Sequence, residues 1–308
     1  MIDFFCNIYS SIKDNNAFLK KVRFYSVLRA LTRLSANILL PIYIRCTSHN
    51  RTYSLLSDTH RDVPVIVSLT SFPARINRVW LVIETMLRQT VKPDKIILWL
   101  SKEQFANSQS MPSNLLHLQS RGLEIRFVEG DIRSHKKYLY ALQQYPEAIL
   151  ITIDDDLFYH SALVEELMDG HEEHPKAIIA HYTHDICYHN GHILSYNLWK
   201  NNVTEGKHLF FGSGGGTLFP AHSLHKYVCN IETALLVCAN ADDIWLNGMA
   251  RLAKTEIVHT SRHSVLLPIL NWNKLMLSST NLTGGNNVQI QQLTDYCINT
   301  FNINPFEQ

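Results

Sequence analysis

Short apolar runs alternate with segments of helical periodicity through the middle of this 308-residue chain. Arg75 to Gln89 is one helical segment, because its apolar side chains recur at spacings of three and four and Pro93 follows it. The apolar runs span residues 63–70, 95–100, 123–128 and 148–153. The first is rich in β-branched residues, as buried parallel strands are, whereas 123–128 alternates with charged residues, which predicts a strand with one face more exposed. Strands alternating with helices predict an α/β fold, with a Rossmann-type, mostly parallel sheet and helices on both faces.

Composition excludes several classes of protein. A hydrophobic content of 46% with a net charge of +1 is not that of a disordered chain. A sequence pI of about 7.7 argues against a generally basic nucleic-acid binder, so no nucleic-acid partner is expected. None of the six cysteines forms a C-x-x-C pair, which favours reduced thiols and a cytoplasmic protein.

The near-zero net charge conceals a basic N-terminal region, residues 1–60, which we interpret as a helical arm and a linker at 48–51 and 57–60. This region holds eight basic residues and three acidic ones. No uncharged apolar run reaches about 18 residues, so a membrane-spanning helix is not predicted, and no signal-peptide pattern is present. Two interpretations stay open: a basic amphipathic helix on the inner face of an anionic membrane, or a helix packed on the main domain, 61–308.

Three adjacent carboxylates, Asp154, Asp155 and Asp156, follow the fourth apolar run. At the carboxyl end of a central strand they would lie in the crevice where open α/β sheets bind ligands. Alternate residues of an extended chain point the same way, so Asp154 and Asp156 can converge on one cation. Oxygen ligands favour Mg²⁺ or Mn²⁺. The alternative is a solvated acidic turn.

Several motifs, in this order along the chain, resemble bacterial GT-A type glycosyltransferases of the family-2-like kind that acts in capsule, lipopolysaccharide or O-antigen assembly. The resemblance runs from about residue 62 to 265. It is carried by VSLTSFPARI (residues 67–76), Gln89-Thr90 with Pro93, Lys136-Lys137-Tyr138, and Asp154-Asp155-Asp156 with Tyr159. It implies a GT-A-like fold, a nucleotide-sugar donor, a nucleotide-sugar half at about 61–160 and an acceptor half at about 161–308.

The resemblance also implies roles for individual residues in donor binding. Ser68, Thr70 and Arg75 would lie by the base, ribose and diphosphate, and Lys137 would face the diphosphate; a surface turn and a solvated lysine are the alternatives. Asp154 and Asp155 would contribute to the same site. The glycine-rich segment 212–216 lacks G-K-[ST] and fails G-x-G-x-x-G, but by resemblance Gly214 and Gly215 lie beside donor sugar and acceptor. A bulge or tight turn is the alternative.

A second acidic pair, Asp242 and Asp243, opens a predicted helix. Acids at a helix start are favoured by the helix dipole, so a plain N-terminal role is one interpretation. By resemblance to inverting GT-A enzymes, Asp243 is the candidate general base, with Asp242 as its helper. His259 follows an apolar segment and is a candidate further metal ligand, as in some GT-A enzymes; the alternative is a core histidine.

The leading hypothesis is a metal-dependent, inverting, hexosyltransferase-like glycosyltransferase. It would move a sugar from a nucleotide-sugar donor to a glycan or lipid-linked acceptor in surface polysaccharide biosynthesis. One alternative is a nucleotidyl- or phosphotransferase on a similar α/β sheet, which needs the metal carboxylates and no acceptor base. Another is a degenerate, non-catalytic transferase that acts as a binding module.

Overall fold

A seven-stranded mixed sheet organises the computed structural model, which describes residues 1–12, 16–48, 56–57, 61–105, 111–260, 266–270 and 285–307. Across this sheet the strand order is β13-β6-β12-β4-β1-β2-β3, and only β12 runs antiparallel to its neighbours. The strands of the described residues are β1 (Val65–Thr70), β2 (Lys95–Ser101), β3 (Leu123–Val128), β4 (Ile149–Ile153), β5 (Leu157–Phe158), β6 (Ile178–Ala180), β7 (Thr183–Asp185), β8 (Tyr188–His189), β9 (His192–Ile193), β10 (Lys200–Asn201), β11 (Leu209–Phe211), β12 (Gly215–Phe219), β13 (Ile257–His259) and β14 (Leu267–Pro268).

Helices cover both faces of the sheet, as predicted. The helices of the described residues are α1 (Ile2–Ser11), α2 (Ala17–Lys21), α3 (Phe24–Thr47), α4 (Val79–Leu87), α5 (Ser113–His117), α6 (Lys136–Gln144), α7 (Leu163–Glu173), α8 (Ile231–Cys238), α9 (Asp242–Leu252) and α10 (Asn286–Phe301), with short 3₁₀ turns at Leu118–Arg121, Arg133–His135, Tyr196–Leu198 and Lys226–Cys229. The α/β class predicted from the alternating pattern is therefore confirmed. The four predicted apolar runs correspond to β1, β2, β3 and β4.

Alternate side chains of the central strands enter two different cores. In β1, Val65 and Val67 pack with residues of α1, α3, α4, α5 and α7, whereas Ile66 packs with residues of α6, α8, α9 and α10. This follows from the two-residue period of a strand, which sends successive side chains to opposite faces. A strand buried on both faces is mostly apolar, which explains why β1 and β4 read as nearly continuous apolar runs.

The N-terminal helices pack on the main domain through one face only. Ile2 and Phe5 of α1 and Leu40 and Ile44 of α3 belong to the same buried core as β1 and β4. Asp3 fixes α1, because its carboxylate accepts hydrogen bonds from the amide (2.8 Å) and hydroxyl (2.6 Å) of Ser161. Of the predicted linker, residues 49–51 and 58–60 lie outside the described residues.

The opposite face of α3 is apolar and exposed. Leu31, Ile38 and Ile42 are 55%, 54% and 56% exposed. By length and composition α3 could cross a membrane, with a mean hydropathy of 1.3 in an 18-residue window that is 28% buried. The prediction of no spanning helix was based on the absence of an uncharged apolar run of about 18 residues, whereas α3 meets a criterion that tolerates two charged residues, so it stays a prediction. The same criterion is met by core helices and by signal sequences, so it does not by itself identify a membrane span.

Asn37 ties α3 to the segment that follows β13. Its amide nitrogen donates to the carbonyl oxygen of Pro268 (3.0 Å), and its side-chain oxygen accepts from the amide of Leu270 (2.7 Å). Between these two residues, the amide of Ile269 donates to the carbonyl oxygen of Asp156 (2.7 Å). A short chain of hydrogen bonds therefore joins the arm to the acidic triplet.

We expect Asn37→Ala to destabilise the protein by about 1–3 kcal/mol, because it leaves partly buried backbone groups of Pro268 and Leu270 without their partner. Urea unfolding and hydrogen exchange of α3 measure the effect. Leu39→Ala, on the exposed face of the same helix, is the matched control and should change stability by less than about 1 kcal/mol. Equal losses in the two variants would contradict this account of how α3 is attached.

Candidate active site

Two loops that are distant in sequence meet at the carboxyl end of β4. Because β12 is antiparallel to β4, its first residue, Gly215, pairs with the last residue of β4, Ile153. The segment before β12 therefore lies beside the segment after β4, and the amide of Asp154 donates to the carbonyl oxygen of Gly214 (3.2 Å). The sequence-predicted acidic triplet and glycine-rich segment are thus neighbours.

Arg75 binds the acidic triplet from the loop that follows β1. Its guanidinium contacts Asp155 Oδ1 at 2.6 Å and Asp156 Oδ2 at 3.0 Å. Asp155 is 6% exposed, and its second oxygen accepts from the hydroxyl of Ser71 (2.6 Å). Asp155 therefore points inward and holds Arg75, which rules out a solvated turn at that residue. Burial, reinforced by the carboxylates of Asp154 and Asp155 and opposed by Arg75, raises the pKa of Asp156 to about 7.

Lys137, in the first turn of α6, connects the two acidic groups. Its ammonium lies 2.8 Å from Asp154 Oδ1 and 2.9 Å from Asp242 Oδ2, and its side chain is only 3% exposed. The alternative of a solvated lysine is therefore wrong. Burial alone would lower the pKa of Lys137, but the surrounding carboxylates of Asp154, Asp242 and Asp243 raise it above its usual range. Lys137 is a charged ammonium at neutral pH.

Asp242 and Asp243 open α9 and converge on Ser213. The Ser213 hydroxyl lies 2.8 Å from Asp242 Oδ2, and its amide donates to Asp243 Oδ1 at 2.7 Å. The hydroxyl also lies within hydrogen-bond distance of Asp243 Oδ1, and its single proton serves one carboxylate at a time. Asp242 and Asp243 therefore contact a segment that is distant in sequence, in addition to their position at the start of the helix.

The two carboxylates of this pair differ in proton affinity. Burial alone would raise the pKa of Asp242, but the charges of Lys137 and His135 lower it to about 2. Burial, together with the charge of Asp242, raises the pKa of Asp243 to about 7, although Lys137 opposes the change. A carboxylate with a pKa near neutrality can accept a proton from a substrate at working pH, which is what a general base requires.

Gly214 has no room for a side chain. A Cβ added there would lie 1.9 Å from Asp154 Oδ2, so glycine is required for Asp154 to approach the loop. At Gly215 the added atom would lie 2.5 Å from the Cβ of Tyr182. The sheet register shifts between Gly215 and Thr217, so the segment contains the predicted bulge. It also allows the close approach of Asp154 and Tyr182 to the glycine backbone. The buried Tyr159 hydroxyl donates to the carbonyl oxygen of Gly214 at 2.5 Å and fixes the loop.

Ser68 and Thr70, two of the sequence-predicted donor residues, are engaged within the sheet. The buried Ser68 hydroxyl donates to the carbonyl oxygen of Lys137 (2.5 Å) and accepts from the indole of Trp99 (2.9 Å). The Thr70 hydroxyl donates to the carbonyl oxygen of Trp99 (2.8 Å). Ser68 therefore fixes the backbone of Lys137 from within the sheet, and its hydroxyl is not available to a nucleotide in this structure.

His259 does not join the acidic triplet. It ends β13, which is separated from β4 by β6 and β12, so three strand spacings of about 4.8 Å place it roughly 14 Å to the side. Burial lowers the pKa of His259. Within the described residues no group of three His, Cys, Asp or Glu side chains could hold a metal ion. The predicted set of Asp154, Asp156 and His259 is therefore not assembled.

Asp154 and Asp156 nevertheless fit a divalent cation that completes its coordination with a ligand. Their side chains are 43% and 27% exposed, and each has one oxygen engaged, by Lys137 and Arg75 respectively. Mg²⁺ is commonly held by one or two carboxylates together with water and substrate phosphates. This donor set, made of oxygens only, suits Mg²⁺ or Mn²⁺ better than zinc.

Sequence reasoning missed Ser71, Ser213 and Tyr182. Ser71 and Ser213 lie inside the motifs that were singled out, but only the tertiary contacts show which hydroxyls meet the carboxylates. Tyr182 packs on Gly212 and Gly215 and is electrostatically coupled to Asp243. No local sequence pattern predicts that Tyr182 lies in the site, because Gly212, Gly215 and Asp243 are all distant from it in sequence.

Three solved structures resemble this fold. A mannosyltransferase from Pyrobaculum calidifontis, in complex with GDP-Man and Mn²⁺, is 12% identical, with 88% of this chain and 75% of that chain covered and a TM-score of 0.47. Glucosyl-3-phosphoglycerate synthase from Mycobacterium tuberculosis, in complex with Mn²⁺, UDP and phosphoglyceric acid, is 14% identical to this chain. The match covers 79% of this chain and 86% of that chain, with a TM-score of 0.45.

The third is 4-diphosphocytidyl-2C-methyl-D-erythritol synthase from Anaerococcus prevotii, which is 13% identical to this chain. The match covers 74% of this chain and 99% of that chain, with a TM-score of 0.42. No protein-family model and no curated protein matches the chain. With such low identities and TM-scores, the bound ligands are properties of those proteins and carry no conclusion about this one.

We expect Lys137→Met to destabilise the protein by about 3–5 kcal/mol at pH 7, because it leaves the buried carboxylate of Asp242 without its ammonium partner. Lys136→Met is the matched control. Lys136 is equally buried, but it pairs with Asp131, whose carboxylate is 27% exposed and can be solvated. Chemical denaturation should show the larger loss for Lys137→Met, and that loss should shrink below about pH 5 as Asp242 gains a proton. Equal losses at pH 7 would contradict the proposed charge balance.

Proposed function

We propose that this protein is a metal-dependent glycosyltransferase that uses a nucleotide-sugar donor. The observation that carries the proposal is the pairing of two different acidic groups across Lys137. Asp154 and Asp156 are partly exposed carboxylates suited to a cation, and Asp243 is a partly buried carboxylate whose pKa is raised to about 7. Sugar transfer from a nucleotide needs both functions side by side: charge neutralisation at the leaving diphosphate and removal of a proton from the acceptor hydroxyl.

In this proposal the donor lies over the loop after β1 and the end of β4. Asp154 and Asp156 would hold Mn²⁺ or Mg²⁺, which supplies electrostatic stabilisation of the leaving diphosphate. Arg75 and Lys137 add positive charge on the same side. Arg75 can bind phosphate oxygens in a forked manner once its carboxylate partners turn to the cation. Gly214 and Gly215 allow Asp154 and Tyr182 to pack against the backbone of their loop, and this loop would border the donor sugar.

Asp243 is proposed to take the proton of the acceptor hydroxyl as it attacks the anomeric carbon, which corresponds to an inverting transfer. Asp242 stays ionised and holds Lys137 and Ser213 in place. The proposed substrate is a hexose donor and the proposed acceptor is a glycan or a lipid-linked sugar of surface polysaccharide biosynthesis. This part of the proposal is supported by the motif resemblance alone.

We further propose that the exposed face of α3 lies on the inner face of an anionic membrane. That face carries large apolar side chains from Phe24 to Ile42. Lys20, Lys21 and Arg23 are exposed at its N-terminal end, and α3 itself contains no acidic residue. An apolar face bordered by basic residues is the usual signature of a helix that binds anionic lipid. The opposite face of α3, packed on the sheet, would hold the candidate active site near the membrane surface.

We expect Asp154→Asn and Asp156→Asn each to lower kcat/KM for nucleotide-sugar turnover with Mn²⁺ by about 100-fold, because each removes a proposed metal ligand. Each should also abolish the thermal protection that a nucleoside diphosphate and Mn²⁺ give to the wild-type protein. Asp169→Asn, an exposed position on α7, is the control with the same chemical change. Normal turnover in both site variants would rule out this metal site.

We expect Asp243→Asn to lower kcat by about 10²–10⁴-fold while protection by nucleotide and Mn²⁺ persists. In the wild-type protein kcat/KM should rise with pH and level off above about pH 7, where Asp243 is deprotonated. The unfolded carboxyl loses its proton near pH 4, so folding stability due to this group decreases as pH rises between these values. Asp243→Asn should therefore raise the melting temperature more at pH 8 than at pH 4.

Activity measured against pH and differential scanning fluorimetry at the two pH values test both consequences. Near-normal turnover in Asp243→Asn, with activity still dependent on Asp154, would instead favour a nucleotidyl- or phosphotransferase, which needs no acceptor base. Absence of protection by every nucleoside diphosphate tested with Mn²⁺ would favour a binding module without activity.

A further inference from the structure

A cavity of about 390 Å³ lies between α3 and the start of α4, apart from the acidic groups. One wall is the C-terminal part of α3, with Ile38 and Ile42. The other wall carries Arg78 and Trp80 from the chain around the start of α4, and Arg45 closes one end. The cavity is therefore lined by apolar side chains of α3 and by two arginines, Arg45 of α3 and Arg78 of the opposite wall.

The cavity has no acidic residue among its lining residues. Arg45 lies over the ring of Trp80, with its guanidinium carbon 5.3 Å from the ring centroid. Within the described part of the chain, neither Arg45 nor Arg78 forms an ion pair with a carboxylate. Two guanidinium groups facing one concave space without a carboxylate suit an anion, and their planar forks match phosphate oxygens.

The apolar side continues onto the exposed face of α3. Ile38 and Ile42 are more than half exposed, and they extend the row of exposed apolar side chains that begins at Phe24. A simple anion would use the arginines and leave this apolar wall in water. A molecule with a phosphate and a hydrocarbon chain would use both walls, because burial of the chain adds to the charge-assisted hydrogen bonds.

We propose that this cavity binds the phosphate headgroup of an anionic lipid, with the phosphate between Arg45 and Arg78 and the hydrocarbon chain along Ile38 and Ile42. The inference deepens the proposed membrane contact of α3 and does not depend on the proposed transfer chemistry. Arg78 follows Arg75 by one turn of chain, so a lipid held here lies next to the loop that contacts the acidic triplet.

The test is calorimetric titration of the full-length protein with dihexanoyl phosphatidic acid below its micelle concentration. We expect saturable binding that Arg45→Gln/Arg78→Gln weakens by about tenfold or more, since two charge-assisted contacts are lost. Inorganic phosphate and dihexanoyl phosphatidylcholine should bind more weakly, because the first lacks the chain and the second is neutral overall. Arg45→Lys/Arg78→Lys keeps both charges and should retain part of the affinity, which separates loss of the anion site from misfolding.

Lys20→Gln/Lys21→Gln is the matched control, because it removes the same charge from a surface remote from the cavity. It should leave binding of the short-chain lipid unchanged while lowering sedimentation with vesicles that contain phosphatidylserine. Equal loss of short-chain lipid binding in both double variants would overturn the proposal, since the effect would then be general charge. Equal affinity for inorganic phosphate and the lipid would also overturn it, since the apolar wall would then play no part.

Failure of the lipid site and failure of the proposed transferase are distinguishable. Asp154→Asn should lose protection by nucleotide and Mn²⁺ while it still binds the short-chain lipid. Arg45→Gln/Arg78→Gln should show the reverse. A protein that binds the lipid but never shows transferase activity would keep this inference and remove only the proposed function.

Discussion

A single buried ammonium, that of Lys137, makes the arrangement of this site possible. It lies between Asp154 at the end of β4 and Asp242 at the start of α9, within 3 Å of a carboxylate oxygen of each. Charges buried this deeply are tolerated only when they are paired and hydrogen-bonded. Lys137 is held from behind by Ser68, whose hydroxyl is anchored to Trp99 of β2. The position of Lys137 is therefore set in part by Ser68 and Trp99, which lie behind it in the sheet.

The direction of one strand accounts for the rest of the geometry. If β12 ran parallel to β4, the glycine-rich segment would lie at the opposite edge of the sheet from the acidic triplet. Its antiparallel direction places Ser213 and Gly214 beside Asp154, and Ser213 then links this edge to Asp242 and Asp243. Burial raises the pKa of both Asp242 and Asp243; the contact with Lys137 outweighs this effect at Asp242, whereas the charge of Asp242 adds to it at Asp243.

Local pattern was sufficient to predict the α/β class, the four strands β1 to β4 and the positions where the acids emerge, because each of these depends on residues close in sequence. Asp154 could be assigned to a strand end since a triple carboxylate cannot continue an apolar run. The inward position of Asp155, the burial of Lys137 and the role of Ser213 depend on the pairing of β4 with β12. His259 was predicted as a metal ligand by resemblance to some GT-A enzymes, but in the strand order β6 and β12 lie between β13 and β4.

The wide sequence separation of Lys137, Ser213 and Asp242 has a consequence for synthesis of the chain. A nascent chain that has emerged only through β4 contains Lys137 and Asp154 but neither of the groups that complete their surroundings. The charge balance can be established only after α9 has been made and has docked against the sheet. Contacts of such long range form late and slowly, so a working site reports that the whole domain has reached its final packing.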